Sequence, residues 1–126
     1  MNNHKDLEVW KNAVEFVGVI YKATSTFPKE EKYGLTSQIR RSVVSISSNI
    51  AEGAARGGNK EFIRFLFISL GSNAELETQL IIAQELGFID QESFEELNAK
   101  TNSIARMLMG LIRYRKSLKS KSRNGE

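Results

Sequence analysis

A chain of 126 residues with 40% hydrophobic and 9% aromatic residues fits one soluble domain, long enough to bury about two-thirds of its unfolded surface. It has no cysteine, which excludes disulfides, thiolate zinc sites and cysteine nucleophiles and fits a reducing cytoplasm. The net charge of +3 is uneven: from Arg113 onward six basic residues face the single acid Glu126, a net +5, so the first 112 residues (12 basic, 14 acidic) sum to −2. The opening MNNHKDLEVW lacks the apolar centre of a signal peptide. The apolar run FIRFLFISLG is interrupted by Arg64 and is far shorter than the roughly 18 residues of a membrane span.

Four helical patterns follow. The first spans residues 6–24, with Asp6 as its N-cap. Trp10, Val14, Val17 and Tyr21 run beside Val9, Ala13, Phe16 and Ile20, a double stripe wide enough for two neighbours. Phe27-Pro28 closes it, because a residue before proline avoids the helical region. The second spans 36–56, capped by Thr36, with Leu35, Ile39, Val43, Ile46 and Ile50 as its apolar line. Gly57-Gly58 ends it, and Asn59 is placed to cap the third helix, residues 60–86, with Gly87 at its end. Its stripe is Phe62, Leu66, Ser69, Asn73, Leu76, Leu80, Ala83 and Leu86. The extra Phe65, Phe67, Ile68 and Leu70 exceed what one seam needs and predict a subunit contact. Asp90 caps the fourth, residues 91–117, with Phe94, Leu97, Thr101, Ile104, Leu108 and Leu111 inward. Residues 119–126 read as a disordered basic tail. The expected fold is all-α, an up-down-up-down antiparallel four-helix bundle in one domain over residues 1–118.

Catalytic patterns are absent. Bundle metal sites pair glutamate with a histidine three residues later, but the single histidine, His4, lies outside the bundle. No phosphate loop, triad or bundle ribonuclease pattern is present, so neither catalytic residues, metal nor cofactor is expected. The residual enzyme reading would need Glu52 or Glu75 perturbed by Arg41 or Arg56 in a cleft. A polar seam is expected between helices two and three, formed by Arg41, Ser45, Asn49, Glu52, Gly71, Ser72, Glu75 and Gln79. Folding about Gly57-Gly58 pairs positions that sum to about 116. Arg41 is then expected opposite Glu75, and Ser45 opposite Gly71.

The segments DLEVW, FPKEEKYGLTSQIRRSVVSISSNIAEGAARGGNKEFIRFL, SNAELETQL and IAQELGFI resemble the four-helix-bundle family of 23S rRNA intervening-sequence proteins. YGLTSQIRR, the NIAEG at Asn49–Gly53, Arg56 and the ELE at Glu75–Glu77 carry the likeness. Ser47 departs from it, since members often have proline there. The resemblance implies a ring-like homopentamer. A similar bundle, the accessory protein of diversity-generating retroelements, acts with a reverse transcriptase and nucleic acid.

The functional expectation is a non-enzymatic, cytoplasmic, oligomeric scaffold that binds nucleic acid, above all structured RNA, or a nucleic-acid enzyme, and no membrane. The candidate contacts are Arg40, Arg41, Arg56, Lys60, Arg64, Arg113, Arg115 and Lys116. The alternative is a protein–protein interaction module whose basic residues serve solubility.

Overall fold

The computed structural model describes residues 3–125, with side chains through residue 118. Four helices follow one another: α1 (Glu8–Thr24), α2 (Leu35–Ala55), α3 (Asn59–Glu85) and α4 (Gln91–Gly125). Short 3-10 turns at His4–Asp6 and Lys29–Glu31 precede α1 and α2, and there is no strand among the described residues. The tail expected beyond residue 118 falls where side chains lie outside the described residues.

On α1 the stripe Val9, Ala13, Phe16 and Ile20 is buried, at spacings of four, three and four that keep one face inward. Its second stripe divides: Trp10 and Val17 are half-buried, whereas Val14 and Tyr21 are exposed. Asp6 does not cap α1. It sits in the preceding 3-10 turn, and Leu7 holds the cap position with no side-chain bond. The helix stops at Thr24, whose hydroxyl donates to Ile20 O at 2.8 Å.

Thr36 likewise is not a cap. Gly34 precedes α2, and the Glu31 carboxylate accepts from Leu35 N at 3.0 Å, doing the capping from one turn upstream. Leu35, Ile39, Val43, Ile46 and Ile50 are buried as the periodicity predicts, and the line continues to a buried Gly53. A Cβ at Gly53 would lie 2.6 Å from Phe65 Cβ and 3.2 Å from Phe62 Cδ1, so α2 and α3 approach closely here.

The α2–α3 register matches the expected pairing. Ser45 Oγ and Ser72 Oγ are 2.8 Å apart, and Ser69 Oγ donates to Ile46 O at 2.9 Å. Ser45, however, meets Ser72 rather than Gly71. One residue along a helix is a turn of about 100°, enough to carry Gly71 to the outer side, where a Cβ would meet nothing within 4 Å.

At its far end α3 closes with the pattern of paired bonds that left-handed glycine permits: Phe88 N donates to Ala83 O and Gly87 N to Gln84 O, both at 2.9 Å, with Gly87 at φ 80°. Leu86, expected inward, is exposed at the start of this turn. Asp90 caps α4 as expected, accepting from Ser93 N at 2.7 Å. α4 runs antiparallel to α3, tied by Asn73 Nδ2 donating to Thr101 O at 2.9 Å and Asn59 Nδ2 donating to Arg115 O at 2.7 Å. Asn59 therefore clasps α4 instead of capping its own helix. Packing is heaviest between α2 and α3 and lightest between α1 and α4.

Candidate nucleic-acid interface

The eight basic residues singled out in the sequence separate into two groups. Arg40 and Arg41 lie one turn into α2, whereas Arg56 follows its last residue, a separation of about 22 Å at 1.5 Å per residue. The antiparallel turn brings Lys60 and Arg64 of α3 beside Arg56. The Asn59–Arg115 clasp then brings Arg113, Arg115 and Lys116 of α4 to the same end.

At that end the cations are laid over phenylalanines. Arg56 and Arg64 flank the Phe65 ring with guanidinium carbons 5.0 and 4.6 Å from its centre. Arg115 lies 4.7 Å from Phe62, and Lys116 Nζ 5.2 Å from Phe67. A cation over a ring face is held by the ring's negative quadrupole, which leaves its N–H groups to other acceptors. Phe62 and Phe65 are buried and Phe67 is exposed, so the three rings form the base on which the charges rest. Two carboxylates moderate the charge. Glu52 meets Arg56 at 2.7 Å; Glu61 meets Arg64 at 2.9 Å and Arg56 at 3.8 Å. The Arg64 hydrogen bond holds the Glu61 carboxyl below the ordinary range, and the same bond raises Arg64. On α2, α3 and α4 six cations stand against these two carboxylates, with Lys60 and Arg113 exposed and outside any ion pair among the described residues. The start of α1 and the turn before it, at the same end, add Lys5, Asp6, Glu8 and Lys11, which cancel.

The expected polar seam is brought together only in part. Asn49 Nδ2 donates to Ser45 O and Oγ at 2.8 and 2.9 Å, and Ser45 reaches Ser72, so three members form a network. Glu52 is instead a surface partner of Arg56. Arg41 and Glu75 line one cleft with Gln38, Ser42, Ser45 and Gln79, but no ion pair joins them within 4.0 Å. The predicted Arg41–Glu75 bridge is therefore corrected: both side chains are exposed, where an ion pair gains little, and they are not joined. Gln79 Oε1 is buried there without a hydrogen bond.

Of the two glutamates named for the enzyme reading, both are exposed: Glu52 is paired with Arg56 on the surface, and Glu75 lines the cleft with Arg41. Among the described residues no three His, Cys, Asp or Glu side chains group as metal ligands do. No helix there is long and apolar enough to cross a membrane.

Other residues at these sites went unnoticed in the sequence. Tyr21, Lys32 and Tyr33 join Arg40 and Arg41 around a cleft between the end of α1 and the start of α2. Tyr21 was read in the sequence only as part of the second stripe of α1, and nothing in the helical periodicity points to Lys32 and Tyr33, which lie in the connection. Gly53 had a readable signal: it continues the 39, 43, 46, 50 line and so falls on the buried face.

Fold and surface together define an antiparallel helical bundle with one basic, aromatic-backed end. The sequence model for the 23S rRNA-intervening sequence protein matches residues 5–110, and the chain belongs to that family. It is similar to the crystal structure of a protein of unknown function from the S23 ribosomal protein family of Bacteroides thetaiotaomicron VPI-5482. That likeness has a TM-score of 0.74 at 28% identity and covers 82% of this chain and 97% of the other. No curated protein matches the chain.

Proposed function

We propose that the chain is a non-enzymatic, cytoplasmic scaffold that self-associates and binds nucleic acid, structured RNA above all, or a nucleic-acid enzyme. The observation that carries this reading is the end of the bundle where Arg56, Arg64, Arg115 and Lys116 lie over Phe62, Phe65 and Phe67. Ring-backed cations are held in place, so less freedom is lost when a phosphate meets them. They carry no base-reading pattern, so selectivity would come from the shape of the RNA.

Self-association is supported by apolar surface left open on α3. Phe67, Ile68, Ile81 and Ile82 are exposed along an outer face that also carries Gly71 and Ala74. Five subunits is the number that the family resemblance implies, and a ring would repeat the basic end by symmetry.

Filter binding of structured RNA at low salt is the direct test. Affinity is expected to fall as salt rises, by about 0.9 in log–log slope for each duplex phosphate engaged. Arg64→Ala with Lys116→Ala should flatten that slope by close to two contacts. No binding at low salt overturns the reading in favour of a protein–protein module. That alternative draws on the ion pairs of Arg56 and Arg64 with Glu52 and Glu61, which absorb part of the charge. A nuclease-treated affinity pull-down separates the two.

A further inference from the structure

The opposite end of the bundle holds a cleft that the basic end does not explain. Its volume is 630 Å³, within the range of small-ligand sites, and it opens between the last turn of α1 and the first turns of α2. Tyr21, Lys32, Tyr33, Arg40 and Arg41 line it, with Thr36, Ser37, Val44 and Ser45, and no carboxylate is among them. Of the nearby carboxylates, Glu31 is engaged by Leu35 N at 3.0 Å, and Glu75 lines the adjoining cleft with Arg41 without forming an ion pair.

The three cations are held differently. Arg40 is fixed: Nε donates to Thr24 Oγ1 at 2.9 Å, Nη2 donates to Tyr21 O at 3.2 Å, and its guanidinium carbon lies 4.4 Å from the Tyr21 ring centre. Two of its five N–H groups are thereby used, which leaves three for an acceptor. Lys32 Nζ sits 5.4 Å from the Tyr33 ring centre. Arg41 has no ion-pair partner among the described residues. Thr36, only 7% exposed, keeps a buried hydroxyl with no hydrogen-bond partner. Tyr33 is the counterpart: at 88% exposure its ring, with Lys32 over one face, offers the other at the rim.

A pocket with three cations, no lining carboxylate and an exposed ring is suited to an anion joined to a flat apolar group. We propose that this cleft binds a nucleoside phosphate, with the phosphate held by Arg40, Arg41 and Lys32 and the base stacked on Tyr33. A base over an aromatic ring is bound through its π-face, whatever its identity, so the site accepts different bases. The same unit can be a free mononucleotide or the phosphorylated end of a single strand.

The test is calorimetric titration of the full chain with AMP, 5′-phosphorylated oligoadenylate, adenosine and inorganic phosphate. AMP is expected to bind at least about tenfold more tightly than either adenosine or phosphate alone, the scale of one stacked base. Binding by AMP assigns the site to the free nucleotide; binding by the oligoadenylate alone, lost in Tyr33→Ala and Arg41→Ala, assigns it to a strand end. Tyr33→Ala and Arg41→Ala change exposed side chains, so the fold should survive, as circular dichroism can verify. Each should weaken binding about tenfold. The Arg64→Ala/Lys116→Ala double variant should leave AMP binding unchanged, which separates this site from the basic end. Phosphate binding as tightly as AMP, indifference to both single variants, or no heat from any nucleotide overturns the proposal.

Discussion

An alanine at Gly53 would drive its Cβ into Phe65 and Phe62, with the nearest contact at 2.6 Å from a Cβ that cannot rotate away. Overpacking of this kind costs about 1–3 kcal/mol, so Gly53→Ala should lower the denaturation midpoint clearly. Gly71→Ala meets open space and replaces a flexible residue inside a helix, so it should be neutral or stabilising by up to about 1 kcal/mol. Urea titrations of the two variants side by side would show this contrast, and equal loss in both would contradict the close approach at Gly53. Asp90 supplies a pH signature at the same scale. The Ser93 N–H bond, joined by the Ser93 side chain, holds its carboxyl below the usual range. A carboxyl depressed in the folded state stabilises above its unfolded value and loses that effect as pH falls through the folded one. The difference in Tm between the native chain and Asp90→Ala should be constant at pH 5–7 and shrink below about pH 4.

Between α2 and α3 the contact is made by short hydroxyl side chains more than by long charged ones. Ser45→Ala and Ser72→Ala, combined in a double-mutant cycle, should show a coupling of about 0.5–1.5 kcal/mol, the worth of one hydrogen bond. The same cycle on Arg41 and Glu75 should give no more than about 0.3 kcal/mol, the additivity of residues that share no bond. Helix number, order and pairing were legible in the sequence because apolar spacing and the glycine breaks set them: Ile39 to Ile50 inward, and Gly57 and Gly87 in the left-handed region that ends helices. Rotation about each helix axis was harder to read. A polar residue's neighbour depends on which way a turn of about 100° carries it, and hence Ser72 rather than Gly71 reaches Ser45. The expected caps of α2 and α3 failed for a related reason, whereas that of α4 held. Thr36 and Asn59 are good cap residues by type, but side chains from elsewhere settled where they point: Glu31 supplies the cap of α2, and Arg115 engages Asn59. The two-ended division of the basic residues needed the tertiary fold, since Arg56 and Arg115 are far apart in sequence and adjacent in space.

For the whole molecule, association is tested on α3. Ile81→Glu with Phe67→Glu adds charge to the open apolar face without touching the buried line of Leu66, Leu76 and Leu80. Light scattering should show the assembly falling toward the 14.2 kDa of one chain while the helical circular dichroism is retained. The light packing of α1 against α4 has a different consequence, for motion. A 150 Å³ gap lined by Asn12, Phe16, Lys100 and Ile104, among others, lies along that seam, so α1 is attached chiefly through α2. An element fastened along one side opens at lower cost than one gripped on both. Amide hydrogens of α1 should therefore exchange with solvent sooner than those of α2 and α3, at a rate insensitive to global unfolding. If two copies lie close together, a released α1 could also seat on its neighbour's α2, turning a local opening into a route by which chains trade their first helix.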